Sequence, residues 1–511
     1  MRLDLANLPT DVALLHRLVR DMTAALESRD TEIDRLQTLI KQLQRARFGR
    51  RSERLDADQL ALGLEDLDAD LARAEAAMAP SADAPAETAR RQLHRPSLPD
   101  HLPRTEHVHD LPGHDCPDCG GRLHAIGEAV SEMLDWVPAE LRVLRVRRPK
   151  YGCRSCGTIH QSPAPERPIA RGLATPGLIA QVLVGKYCDH LPLYRQARIF
   201  ARHGARIERS TLADWVGGAC WWLEPLHTRL AAHLFASTKL FADDTPIPVL
   251  DPGRGRTKTG RLWVYARDDR PWGGPDPPAA VFFYSPDRKA ERPAAHLGSF
   301  RGVLQVDGYA GFESLAARGD VVLAACWAHT RRRFYEFHQA TGSPIAGEAL
   351  RRIAELYAIE QRIRGQPPDA RRRERAAASR PLIYAMKVWL EDELPRVPSR
   401  GLLAEAIRYA LVRWPALCRF LKDGRIELDT NPVERAIRPV ALGRKNHLFA
   451  GSDRGGERWA MVCSLITTAQ LNDVEPYAYL RDVLQRMVDG HPMSRLDELL
   501  PWNWASANAE A

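Results

Sequence analysis

Residues 241–250 read FADDTPIPVL, an apolar run broken by two adjacent acids, Asp243 and Asp244. Outward from it lie GRLWVYARDD (260–269) and AAVFFYSPD (279–287), two more short runs rich in β-branched and aromatic residues and closed by turn formers. RKAERPAAHLGSF (288–300) has helical composition, and GVLQVDGY (302–309) and DVVLAACWAH (320–329) return to strand character. The order is a three-strand meander, a helical crossover and two further strands. This meander-then-crossover order is that of an RNase H-like sheet.

Two of these strands carry acids at their ends, Asp243 on the first and Asp307 on the fourth. A third acid, Glu434, opens a helix-like segment in DTNPVERAIRP (429–439). This is the order in which an RNase H-like core presents three carboxylates to two divalent metal ions, and such a site cuts or joins phosphodiester bonds. Successive strand side chains point to opposite faces, so only one of Asp243 and Asp244 heads the site. The assignment goes to Asp243, with Asp244 facing away and dispensable. Each acid also has a bland reading. Asp before Gly or Thr-Pro is ordinary turn chemistry, and with Asn431 as N-cap and Pro432 in the first turn, Glu434 would close a capping box. The cations Arg435, Arg438, Arg444 and Lys445 favour the functional reading, since they would set phosphate-binding groups beside the metals.

The chain has 511 residues, too many for one ordinary core, and a formal net charge of +8, which points to a polyanionic partner. It has no apolar run long enough to span a membrane and no signal-peptide layout at its start, so a cytoplasmic protein is expected. Four of the nine cysteines form two knuckles, Cys116-x2-Cys119 and Cys153-x2-Cys156, each followed by glycine. That is zinc-ribbon spacing for one structural Zn2+, closed because four thiolates leave no open position. Cys326-x2-His329 is half of such a pattern with no second pair. It predicts a packed cysteine at a strand end, with His329 facing DNA or lying near the metals.

Val12, Leu15, Val19, Met22, Leu26, Ile33, Leu36, Ile40 and Leu43 follow a three-four spacing broken only by Arg29. This predicts a coiled coil and self-association into a homo-oligomer; the alternative is a helix folded back on residues 60–77. Arg47, Arg50 and Arg51 lie in a basic cluster at its end, suited to phosphates. Residues 79–104 read as a Pro- and Ala-rich linker. Around His203-Gly204, two helical segments, the second starting after Ser210-Thr211, resemble a helix-turn-helix.

The expected layout is therefore multidomain α/β: a helical coiled-coil and basic region (1–78), a linker (79–104), a zinc ribbon (105–165) and a helix-turn-helix-like region (166–235). An RNase H-like catalytic domain (236–455) with an all-helical insertion at about 331–425 and a C-terminal helical region (456–511) complete it. RFGRRSERL, the two knuckles, KYCDHLPLYRQ, STLADWVGG, ADDTPIPVL with TKTGRLWVY, VDGYAGF and CWAHTRRRF occur in that order. DTNPVERAIRPVALGRKNHLFAGSDRGGERWA, PYAYLRDVL and LDELLPWNW follow. In these motifs the chain resembles a transposase of the insertion sequence 66 family over essentially its whole length. It departs at Asp244, where the family's usual pattern is Asp-Glu-Thr-Pro.

The resemblance implies an aspartate-aspartate-glutamate (DDE) transposase using two Mg2+ ions at Asp243, Asp307 and Glu434. Its partners would be the terminal inverted repeats of its element and target DNA, with accessory proteins of the same element as further candidates and no membrane. The rival readings are a transposase-derived DNA-binding regulator without catalysis and an RNase H-like nuclease.

Overall fold

The computed structural model describes residues 141–152, 159–161, 163–170, 172–251, 253–447 and 449–509. The expected coiled coil, Arg47, Arg50, Arg51, the linker, and Cys116, Cys119, Cys153 and Cys156 lie outside the described residues. A small antiparallel pair, β1 (Lys150–Gly152) with β2 (Ile159–Gln161), precedes the main body.

The core is a five-stranded mixed sheet of β3 (Lys239–Asp251), β4 (Arg256–Arg267), β5 (Ala279–Ser285), β6 (Gly302–Val306) and β7 (Val321–Ala325), in the order β5-β4-β3-β6-β7. β3, β4 and β5 form an antiparallel meander, and β6 and β7 run parallel to β3. The strands fall where the apolar, β-branched and aromatic runs sit in the sequence. Pro246 and Pro248 stay within β3 because their missing N–H groups cost no ladder bond. They share parity with Leu250, whose N–H turns away from β4 to the Ala450 carbonyl, 2.8 Å away, and β6 has already ended on that side.

Before the sheet come α1 (Pro176–Tyr187), α2 (Leu193–Arg202) and α3 (Arg209–Phe235). Gly204, with φ of 86°, makes the turn between α2 and α3 that the sequence suggests. α3 begins at Arg209 rather than after Thr211 and continues for 27 residues, because Leu212, Trp215, Ala219, Leu223, Leu226 and Leu230 bury one continuous face. It packs on β5 and on α10 (below), so it belongs to the core of this unit as much as to any turn motif.

The crossover between β5 and β6 contains α4 (Glu291–His296). After β7 the described chain is helical through α5 (Trp327–Thr341), α6 (Pro344–Ile363), α7 (Arg380–Glu393) and α8 (Leu402–Val412). These helices share their own apolar centre, formed by Trp327, Phe334, Ile353, Leu356, Met386, Leu390, Ile407 and Phe420. Trp327 is fully buried, and its indole N–H donates to the Leu417 carbonyl at 3.0 Å.

The chain then returns to the sheet as α9 (Asn431–His447) and α10 (Asp453–Leu471), and α11 (Pro476–Val488) packs on α1 and α3. α10 covers the edge strand β5. Its Ser464 hydroxyl accepts the Phe282 N–H at 2.8 Å, and Thr468 both accepts from the Ala280 N–H and donates to the Ala280 carbonyl. Those side chains occupy the backbone groups an open edge would offer to another strand. No helix among the described residues is long and apolar enough to cross a membrane.

Candidate active site

The register of the three parallel strands aligns Ala242, Val306 and Ala325. One residue further on, each chain carries a chemically useful group: Asp243, Asp307 and Cys326. Asp243 is half-buried, and its Oδ1 accepts the Asp244 N–H at 2.7 Å. Asp307 is held in an Asx turn, Oδ1 accepting the Tyr309 N–H at 2.9 Å, while its carbonyl accepts the Tyr409 hydroxyl at 2.7 Å. Gly308 sits at φ of 109°, and a Cβ there would lie 2.7 Å from Arg413 Nε. Only glycine fits the turn that presents Asp307.

Glu434 reaches the same end of the sheet from the first turn of α9 and is 2% exposed. The segment just before its helix is tied to β6 and to the start of α5, while α9 itself packs on β3 and β4. Gln305, fully buried on β6, donates from Nε2 to the Glu427 carbonyl and accepts the Glu427 N–H, both at 3.0 Å. The Trp327 N–H donates to the Leu428 carbonyl at 2.8 Å. The strand that presents Asp307 thus also fixes where Glu434 enters.

The capping-box reading of Glu434 is corrected here. The Asn431 N–H goes to Asp429 Oδ1 at 3.3 Å, and Glu434 Oε1 instead accepts the Thr430 hydroxyl at 2.6 Å. The Thr430 carbonyl accepts the Val433 and Glu434 N–H groups, which opens the helix one residue earlier than an Asn431 cap would.

His329 Nδ1 lies 4.0 Å from Glu434 Oε1, with the imidazole 20% exposed. Cys326 is 1% exposed, and burial pushes its thiol up to about 12. One ligand atom each from Cys326, His329 and Glu434 lie within 4.8 Å of one another. Oxygen ligands from Asp243, Asp307 and Glu434 suit a hard ion such as Mg2+, whereas sulfur and imidazole suit a softer one such as Zn2+.

Asp244 faces away from Asp243, and its side chain is 1% exposed. Arg261 Nη1 meets its Oδ2 at 3.0 Å, and Arg288 meets its Oδ1 through Nη2 at 2.8 Å and Nε at 2.9 Å. Burial raises the Asp244 carboxyl above the ordinary carboxylate value, and the two guanidinium groups hold that rise in check.

Among the predicted phosphate-binding cations of α9, Arg435, Arg438 and Lys445 are exposed. Arg444 is not: it is 8% exposed, and its Nη2 donates to the Thr245 hydroxyl at 3.0 Å, tying α9 to β3. That position corrects its reading as a DNA-facing residue. Gln305 escaped sequence reasoning, although a lone amide inside the apolar run GVLQV is the signal that could have found it. Arg288 escaped as well, because nothing in the order of residues joins it to Asp244.

Known proteins resemble the chain along its whole length. The family model described as "Transposase IS66 family" matches residues 171–458, and "IS66 C-terminal element" matches 464–502. "Zinc-finger binding domain of transposase IS66" matches 114–157, the stretch holding all four knuckle cysteines, and "Transposase C of IS166 homeodomain" matches 35–106. The protein y4jD of Sinorhizobium fredii is 43% identical, over 98% of this chain and 97% of its own. From the same organism, y4hP is 42% identical over 93% and 89%, and y4qI is 38% identical over 99% of both.

Proposed function

The chain belongs to the IS66 transposase family, and from that premise we propose that it binds the ends of an insertion sequence, cleaves there and joins the freed end to target DNA. The observation that carries the proposal is the placement of Asp243 and Asp307 at adjacent register positions at the ends of paired parallel strands, with Glu434 on a helix packed on the first of those strands and led in by a segment tied to the second. A sheet of order β5-β4-β3-β6-β7 with one antiparallel meander supports an RNase H-like core over 236–455. The helices after β7 are then its insertion, at about 331–425.

In this reading Asp243, Asp307 and Glu434 would hold two Mg2+ ions through their carboxylate oxygens. Bound there, the ions would lower the pKa of the attacking hydroxyl and neutralise charge on the departing oxygen. The protein's own part is positional. Tyr309 and Tyr409 fix the Asp307 turn, Gln305 and Thr430 fix Glu434, and Arg435, Arg438 and Lys445 meet the DNA backbone. Water attacks phosphorus at the element's end, the bond from phosphorus to the 3'-oxygen breaks, and a 3'-hydroxyl is released. That hydroxyl attacks a target phosphodiester, one bond forming as one breaks, with no covalent protein intermediate. Cys116, Cys119, Cys153 and Cys156 would hold one structural Zn2+, and residues 12–43 would pair protomers.

The test is to incubate the full chain with Mg2+, a duplex of the element's terminal repeat and target DNA. Release of a 3'-hydroxyl end and its joining to target are expected. Binding without any product would establish the regulator reading instead, and cutting indifferent to the terminal sequence without joining would establish a nuclease.

A further inference from the structure

Arg288 belongs to no motif of the site, yet it is firmly held beside the acids. Its Nε and Nη2 grip Asp244 Oδ1, its Cζ lies 4.3 Å over the Tyr309 ring, and its carbonyl accepts the Tyr309 hydroxyl. Tyr309 in turn donates its N–H to Asp307. Burial alone would lower the Arg288 pKa, and the carboxylates of Asp244, Asp307 and Asp243 outweigh it, so the guanidinium stays charged. Its side chain remains 39% exposed, whereas Asp244 beneath it is 1% exposed.

Asp244 faces two guanidinium groups, Arg261 and Arg288, so one positive charge is left over in the trio. A buried carboxylate that cannot reach DNA, spent on aiming an accessible arginine, is the arrangement of a phosphate clamp. We propose that Arg288 grips a DNA phosphate beside Asp243 and Asp307, and that Asp244 is the positioning residue that aims it. The proposal rests on the cleavage site proposed above. It also replaces the expectation that Asp244 is dispensable. The planar fork matters here, since it can hold Asp244 along one edge and offer another edge to phosphate oxygens.

The experiment measures the affinity of the full chain for a terminal-repeat duplex against salt concentration, together with its cleavage rate in Mg2+. Arg288→Ala should lower the slope of log affinity against log salt by about 0.9, the loss of one phosphate contact. Its cleavage rate should fall about a hundredfold. Arg288→Lys should restore the slope but not the rate, because the ammonium keeps the charge without the fork. Asp244→Asn should keep the slope and lose rate. Arg292→Ala, which removes an arginine paired with Asp287, should change neither.

Thermal melts identify any variant that fails to fold, and if Arg288→Ala is one, the slope and rate of Arg288→Lys carry the test. Wild-type slope and rate in Arg288→Ala, with Asp307→Asn inactive in the same assay, would overturn the clamp and leave the cleavage site standing. An active Asp307→Asn would overturn the cleavage site itself, and the clamp with it.

Discussion

Arg444 and Arg438 stand six positions apart on one helix and have opposite surroundings, which makes them a paired test of what each arginine does. Arg444→Ala removes a charged donor from the Thr245 hydroxyl and should cost about 1.5–3 kcal/mol of stability, with the salt dependence of DNA binding unchanged. Arg438→Ala should leave the denaturation curve in place and lower the salt slope by about 0.9. The reverse pattern in chemical denaturation and binding titrations would mean that the two roles are exchanged. At this scale the sequence was legible where chemistry stands next to strong local patterning. Asp243 and Asp307 close apolar runs, and Glu434 opens a capped helix. Gln305 and Arg288 were not assigned roles because their partners, Glu427 and Asp244, are 122 and 44 positions away, and His329 was left between facing DNA and lying near the metals because Glu434 is 105 positions away.

Elements hold this site through a few buried polar contacts. Between α6 and the segment that leads into α9, Arg371 and Arg375 are 1% and 0% exposed and share the Glu360 carboxylate at 2.6–3.0 Å. Arg375 also donates to the Phe420 and Ile426 carbonyls, and Arg371 meets Glu427, the residue that Gln305 pins. Glu360→Gln would leave the buried Arg375 without a counter-charge and Arg371 with Glu427 alone, a loss of about 3–5 kcal/mol in urea denaturation. A change below about 1 kcal/mol would mean that water reaches the cluster.

Two histidines tie α3 and α4 to the sheet. Burial lowers His227 and His296 to about 4 each, the first partly restored by its bond to the Phe282 carbonyl, the second lowered further by Arg292. Their folded pKa values lie below the unfolded value near 6.5, so the unfolded chain takes up protons first. Stability is therefore full above about pH 6.5 and is lost toward pH 4, by up to about 2 kcal/mol per histidine at pH 5. Denaturation at pH 7.5 and 5.0 should show the drop, and His227→Gln combined with His296→Gln should flatten it. Neither the arginine cluster nor the histidines could be read from spacing, because burial is a property of the assembled elements.

For the whole molecule, the succession of strands and the helical stretch after β7 were legible, because β-branched and aromatic runs closed by turn formers and long helical periods are local signals. The extent of α3 was not, since its 27 residues are held together by a face that the sheet and the helices α1, α2, α10 and α11 cover. The packing of α9 on β3 and β4, with the segment before it tied to β6, was likewise invisible, although it brings an acid 127 positions beyond Asp307 to the same end of the sheet. The central claim is that this assembled edge, with its three carboxylates, is where DNA is cut. Its most direct test is single-turnover cleavage of a terminal-repeat duplex in Mg2+ by Asp243→Asn, Asp307→Asn and Glu434→Gln, with DNA binding measured in parallel. Each amide keeps the shape and loses a charge, so each variant should cut at least about a thousandfold more slowly, a barrier increase of about 4 kcal/mol, and still bind the duplex. Cleavage at the wild-type rate by all three would contradict the account.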